Sequence, residues 1–79
     1  MGLAKTEAEL GNKIKTFLKA KIADSELTYE DLAKEMKKHG LKETKASVTN
    51  KLARGTFPAT FLLGALAALE EDGLKLEEL

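Results

Sequence analysis

The sequence predicts an all-α fold, a compact four- to five-helix bundle. Three observations lead there. No segment alternates apolar and polar residues with a period of two for long enough to read as a strand. Apolar residues instead recur at helical spacing along most of the chain. Threonine caps, glycines and a single proline stand where helices would start and stop. The 79 residues are 43% hydrophobic and 33% charged, which suits one helical domain over 1–79.

The first helix is expected from about Glu7 to Ala23. Thr6 with Glu9 three residues on fits a capping box, and Leu10, Ile14, Phe17, Leu18 and Ile22 supply the apolar stripe. Gly11 interrupts the pattern and Asn12 offers a second start, so residues 1–10 are expected to fray. The second helix starts after Thr28, with Asp31 at the third helical position and Leu27 and Leu32 placed to close a hydrophobic staple. Leu32, Ala33 and Met36 face inward, Gly40 ends the helix, and Leu41 packs back over its last turn. The third helix runs from Lys45 to Arg54 behind Thr44. Val48 and Leu52 point inward, Ala46, Thr49 and Ala53 extend the buried side, and Gly55 stops it.

The fourth helix lies in "FPATFLLGALAALEE", with Pro58 in its first turn. Phe57, Phe61, Leu62, Ala65, Leu66 and Leu69 form a wide apolar face. Leu63, Ala67 and Ala68 widen it, and Gly64 gives a close crossing point. Asp72-Gly73 breaks this helix, and "LKLEEL" makes a short last turn that docks Leu74, Leu76 or Leu79.

Composition excludes several classes of function. There is no cysteine and one histidine, so neither a disulfide nor a site of several His ligands can form within the chain. His39, beside Gly40, reads as a helix C-terminal cation rather than a catalyst or a ligand. Ser25 follows Asp24 as in a carrier domain, but Glu26 intervenes and the local cap is Thr28. No Gly-rich phosphate loop and no nucleophile constellation is present, so no enzyme, metal or cofactor is expected. No apolar run reaches the roughly 20 residues of a membrane span. The start "MGLAKTEAEL" lacks the apolar core of a signal peptide. A cytoplasmic protein without membrane contact is the expectation.

Formal charge sums to zero, but it is unevenly spread. Residues 34–55 carry seven cations against Glu35 and Glu43, whereas 56–79 carry five acids against Lys75. A dipolar domain of this kind can present a basic face to a polyanion. Within the basic stretch, "SVTNKLARGTF" places Ser47, Asn50, Lys51 and Arg54 at i, i+3, i+4 and i+7, one polar stripe on the third helix. These are residue types that read nucleic acid. Arg54 or Lys51 can pair with guanine edges or phosphates, Asn50 has the amide geometry that matches adenine, and Ser47 is short enough for close approach. Lys15 and Lys19 share a face of the first helix, flanked by Lys13 and Lys21, and read mainly as its solvent side.

Helix, turn, helix, glycine and apolar helix is the order of a helix-turn-helix domain, here over about 28–55. "LTYEDLA" (Leu27–Ala33), "NKLARG" (Asn50–Gly55), "FPATFLLGALAAL" (Phe57–Leu69) and "LEEL" (Leu76–Leu79) resemble the phage-repressor-like, or Xre-type, family. The set also looks like a small bacterial domain family of that type with no assigned function. The resemblance implies a five-helix domain that binds double-stranded operator DNA as a transcriptional regulator, inserting helix 45–54 into the major groove. It places Lys45, Ser47 and Thr49 nearest the bases and moves Arg54 toward the backbone. Lys42, Thr44, Tyr29 and Lys34 would face phosphates. It also implies a weak homodimer, for which "GLKLEEL" is the expected surface.

Three features depart from the family pattern. Ala53 stands where a glutamate is frequent, and Tyr29 where a glutamine is common. The connection "KKHGLKETKAS" is roughly six residues longer than the usual short turn. A protein-interaction module that keeps the scaffold without binding DNA is therefore the alternative reading. The placement of Glu30, Asp31 and Glu43 separates the two: beside Ser47–Arg54 they neutralise the patch and the DNA reading loses.

Overall fold

The computed structural model describes residues 4–71 and 73–79. Among these residues four α-helices follow one another: α1 (Glu7–Ser25), α2 (Tyr29–Lys37), α3 (Lys45–Arg54) and α4 (Ala59–Ala68). A 3-10 turn, Leu76–Glu78, comes after them. No strand occurs among the described residues. The all-α bundle expected from the sequence is the architecture found.

Local chemistry explains the boundaries. Thr6 accepts from the Glu9 amide at 3.1 Å, while the Glu9 carboxylate reaches the Lys5 amide at 2.9 Å, one residue upstream of a strict capping box. Thr28 and Asp31 form the full reciprocal box, with bonds of 3.0 and 3.2 Å. Thr44 and Ser47 do the same at 3.1 and 2.8 Å, so a serine fills the place usually held by Glu or Gln. Pro58 stands one position earlier than expected, as the N-cap of α4. After α2, Gly40 takes a left-handed conformation, with its amide on the Lys37 carbonyl and the Leu41 amide on that of Met36. This is a Schellman closure. The end of α4 has the same pair of bonds, from Glu70 to Ala67 and from Glu71 to Leu66, but the left-handed residue is Glu70, not a glycine. The helix thus stops before Asp72-Gly73, because the Schellman turn closes it first.

The core takes Phe17, Leu18 and Ile22 from α1, Leu32, Ala33 and Met36 from α2, Val48 and Leu52 from α3, and Phe61, Ala65, Leu66 and Ala68 from α4. Helix α2 packs on α3 and α4, and α1 packs on α3. Several expected core positions point outward instead. Leu10, Leu63 and Leu76 are exposed by 38%, 64% and 57%, and Ala67 is exposed as well. A helix buries one stripe, and the core-facing stripe of α4 is already filled by Phe61, Ala65 and Ala68. Ala46, Thr49 and Ala53, expected on the buried side of α3, are exposed for the same reason, since Val48 and Leu52 take the inward face.

Gly11 does not interrupt α1. It is buried where α1 crosses the end of α3, and a Cβ there would stand 2.9 Å from the Gly55 carbonyl oxygen. Gly64 serves a different contact from the helix crossing expected. It leaves a notch for Leu41, whose Cδ1 lies 2.6 Å from where a Gly64 Cβ would be.

Candidate nucleic-acid interface

The connection from α2 to α3, Lys38 to Thr44, is longer than a tight turn but is anchored at two points. Leu41 fills the Gly64 notch, and Glu43 is buried, 7% exposed. Glu43 is the only charged core residue among those described, and its two oxygens are both engaged. Oε1 accepts from Ser47 Oγ at 2.6 Å, and Oε2 from Lys51 Nζ at 2.7 Å. The Lys51 ammonium also stands 5.0 Å over the Phe61 ring. Burial of the Glu43 carboxyl favours its neutral form. The bonds from Lys51 and Ser47, with the Lys51 charge, outweigh that and hold its pKa below the ordinary glutamate value.

This network divides the polar stripe expected on α3. Ser47 and Lys51 are half-buried and turned toward Glu43, whereas Asn50 and Arg54 are exposed. The outward face is Lys45, Ala46, Thr49, Asn50, Ala53 and Arg54, at i, i+1, i+4, i+5, i+8 and i+9. It contains no carboxylate. Sequence reasoning missed Ala46 and Ala53 as members of this face and missed Glu43 as its support. The spacing of Glu43, Ser47 and Lys51, each four residues from the next, was the signal that these three side chains share one side.

The other expected contacts are distributed as follows. Lys42 and Thr44 are exposed beside the start of α3, and Lys45 is its first residue. The Thr49 hydroxyl donates to the Lys45 carbonyl at 2.7 Å. Tyr29 is half-buried at the start of α2 and packs on the core. Of the three acids in question, Glu43 does sit beside Ser47 and Lys51 and neutralises that part of the stripe, whereas Glu30 pairs with Lys34 at 3.6 Å and Asp31 caps α2, where the bonds from Thr28 lower its pKa. On α1, Lys13 donates to the Leu79 carbonyl at 3.1 Å and Lys21 pairs with Glu71 at 3.0 Å. The bond from Lys21 to Glu71 raises the lysine pKa. These two lysines tie down the C-terminal segment. Lys19 stays exposed and Lys15 half-buried.

A second surface feature lies between the first half of α1, the α3–α4 connection and the C-terminal segment. Leu10, Ile14, Phe57, Leu62, Leu74, Leu76 and Leu79 line an open apolar groove of about 510 Å³, floored by Gly11 and Gly55. No cluster of metal-ligating side chains occurs among the described residues, and no helix there is long and apolar enough to cross a membrane.

The model of a domain family of unknown function, DUF6471, matches residues 10–74. The chain belongs to the DUF6471 family. The match spans the whole helix pair, the Gly11–Gly55 crossing and all of α4. No curated protein and no solved structure matches the chain.

Proposed function

We propose that this DUF6471 domain binds double-stranded DNA as a repressor-like helix-turn-helix regulator, with α3 entering the major groove. One observation carries the reading: the exposed face of α3 is free of carboxylates and holds Lys45 and Arg54 at its ends with Thr49 and Asn50 between them. At 1.5 Å and 100° per residue the Cα atoms of these two cations stand about 13.5 Å apart along the axis and on opposite edges of this face, so their side chains flank it on two sides of a groove roughly 12 Å wide. Each end can therefore meet a phosphate strand while the middle reaches base edges. Ala46 and Ala53 keep the face thin enough for entry. Lys42 and Thr44 add phosphate contacts beside the start of α3, and Tyr29 adds one from α2. Ser47 and Lys51 act as supports, because Glu43 holds both.

Titration of the full chain with mixed-sequence duplex DNA tests this. Three phosphate-facing cations, Lys42, Lys45 and Arg54, give a slope of log affinity against log salt of about −2.7. That is roughly a fortyfold loss from about 50 to 200 mM salt. Arg54→Ala removes about 0.9 of that slope. Absence of duplex binding at the lower salt overturns the proposal.

The apolar groove favours a second reading, a protein-interaction surface, and the weak homodimer would use it through Leu76. Sedimentation at rising concentration tests that, with Leu76→Asp as the variant that abolishes any dimer seen.

A further inference from the structure

We infer that Glu43 sets the affinity and salt dependence of the α3 surface: its carboxylate withholds Lys51 from a bound polyanion. This rests on the duplex reading above. Four cations lie on or beside α3. Lys42, Lys45 and Arg54 are exposed and form no ion pair among the described residues. Lys51 differs. Its side chain is 23% exposed, its ammonium is 2.7 Å from Glu43, and the Phe61 ring lies on another side of it. Glu43 is itself fixed by Ser47, which belongs to the cap of α3.

Lys51 lies three residues before Arg54 on α3, the spacing of surface neighbours, so an unpaired ammonium on its long stem reaches the rim of the exposed face. Removing that charge from the rim has a directional effect. Attraction to phosphates scales with the number of free cations and is the same for every sequence, whereas contacts to base edges are not. One fewer cation lowers affinity for every duplex by the same factor and flattens its salt dependence, and it leaves the base contacts, and so the ratio between sequences, in place.

Glu43→Gln keeps the side-chain volume and an acceptor for Ser47 but removes the charge. With mixed-sequence duplex it should steepen the salt slope by about 0.9, so the loss of affinity from about 50 to 200 mM salt grows some 3.5-fold. Lys51→Met should leave the wild-type slope unchanged, and adding it to Glu43→Gln should restore that slope. Melting by circular dichroism verifies that each variant is folded. A wild-type slope in folded Glu43→Gln overturns the inference and leaves the duplex reading standing. So does a drop of about 0.9 in Lys51→Met, which would place Lys51 on phosphate already. No duplex binding by either wild type or Glu43→Gln overturns both.

Discussion

Replacing Gly11 by alanine sets two known effects against each other. In an ordinary helix interior the change stabilises by about 1 kcal/mol, because glycine has the greater backbone freedom to lose. Here the new methyl would stand 2.9 Å from the Gly55 carbonyl oxygen, a distance that real Cβ contacts do not reach. The obstruction is backbone, so no rotamer change relieves it, and α1 must move off the end of α3. Forcing one methyl into a closed contact of that kind costs about 2–3 kcal/mol. The net expectation is a loss of about 1–2 kcal/mol. For a domain of this size that lowers the melting temperature by roughly 4–16 °C. Urea unfolding followed by circular dichroism reads it directly. Gly40→Ala is the reference, since no atom lies within 4 Å of its Cβ position. It should lose only the left-handed penalty of about 1 kcal/mol. A Gly11→Ala protein more stable than wild type would refute the argument that the helix crossing requires glycine.

Glu70→Gly should stabilise by about 0.5–1 kcal/mol in the same assay, because Glu70 holds a left-handed conformation that glycine adopts without strain. Glu43→Ala should cost about 1–3 kcal/mol, as it strands the partly exposed Lys51 and removes the acceptor of Ser47. The figure sits below that for a fully buried pair because solvent still reaches the ammonium. The pKa values of Glu43 and Asp31 are lowered in the fold, so both contribute stability above the ordinary carboxylate range and lose it as pH falls through their folded values. Melting temperature measured from neutral to acid pH should drop on that limb, and Glu43→Gln should flatten it. Leu18→Ala, at a fully buried position of α1, should cost about 2–5 kcal/mol and leave a cavity visible as a weaker urea midpoint.

Element identity was legible wherever a single local mechanism decides it. Thr6, Thr28 and Thr44 announce helix starts through side-chain oxygens that reach only a few residues. Gly40 and Gly55 announce ends through a backbone angle that other residues adopt at a cost. The end of α4 was misplaced because Glu70 accepts that angle without the composition cue. Facing was harder to read where apolar residues exceed what one stripe can bury. In α4 nearly every residue is apolar, so periodicity alone could not mark Leu63 and Ala67 as outward. The same limit moved Ala46 and Ala53 to the wrong side of α3. At the candidate interface, residue types could not divide the polar residues of α3 between a surface and a buried partner. That division depends on Glu43, which lies outside α3.

The two anchors of the α2–α3 connection carry a kinetic consequence. With Leu41 in its notch and Glu43 bonded to Ser47 and Lys51, the segment from Lys38 to Arg54 is held at two points. On the duplex reading proposed above, a partner meeting this surface should face no ordering step. Association should then be a single phase whose rate rises linearly with concentration and is tuned by charge, as for preformed surfaces. Its heat-capacity change should reflect the contact area alone, without the added increment of a segment that folds as it binds.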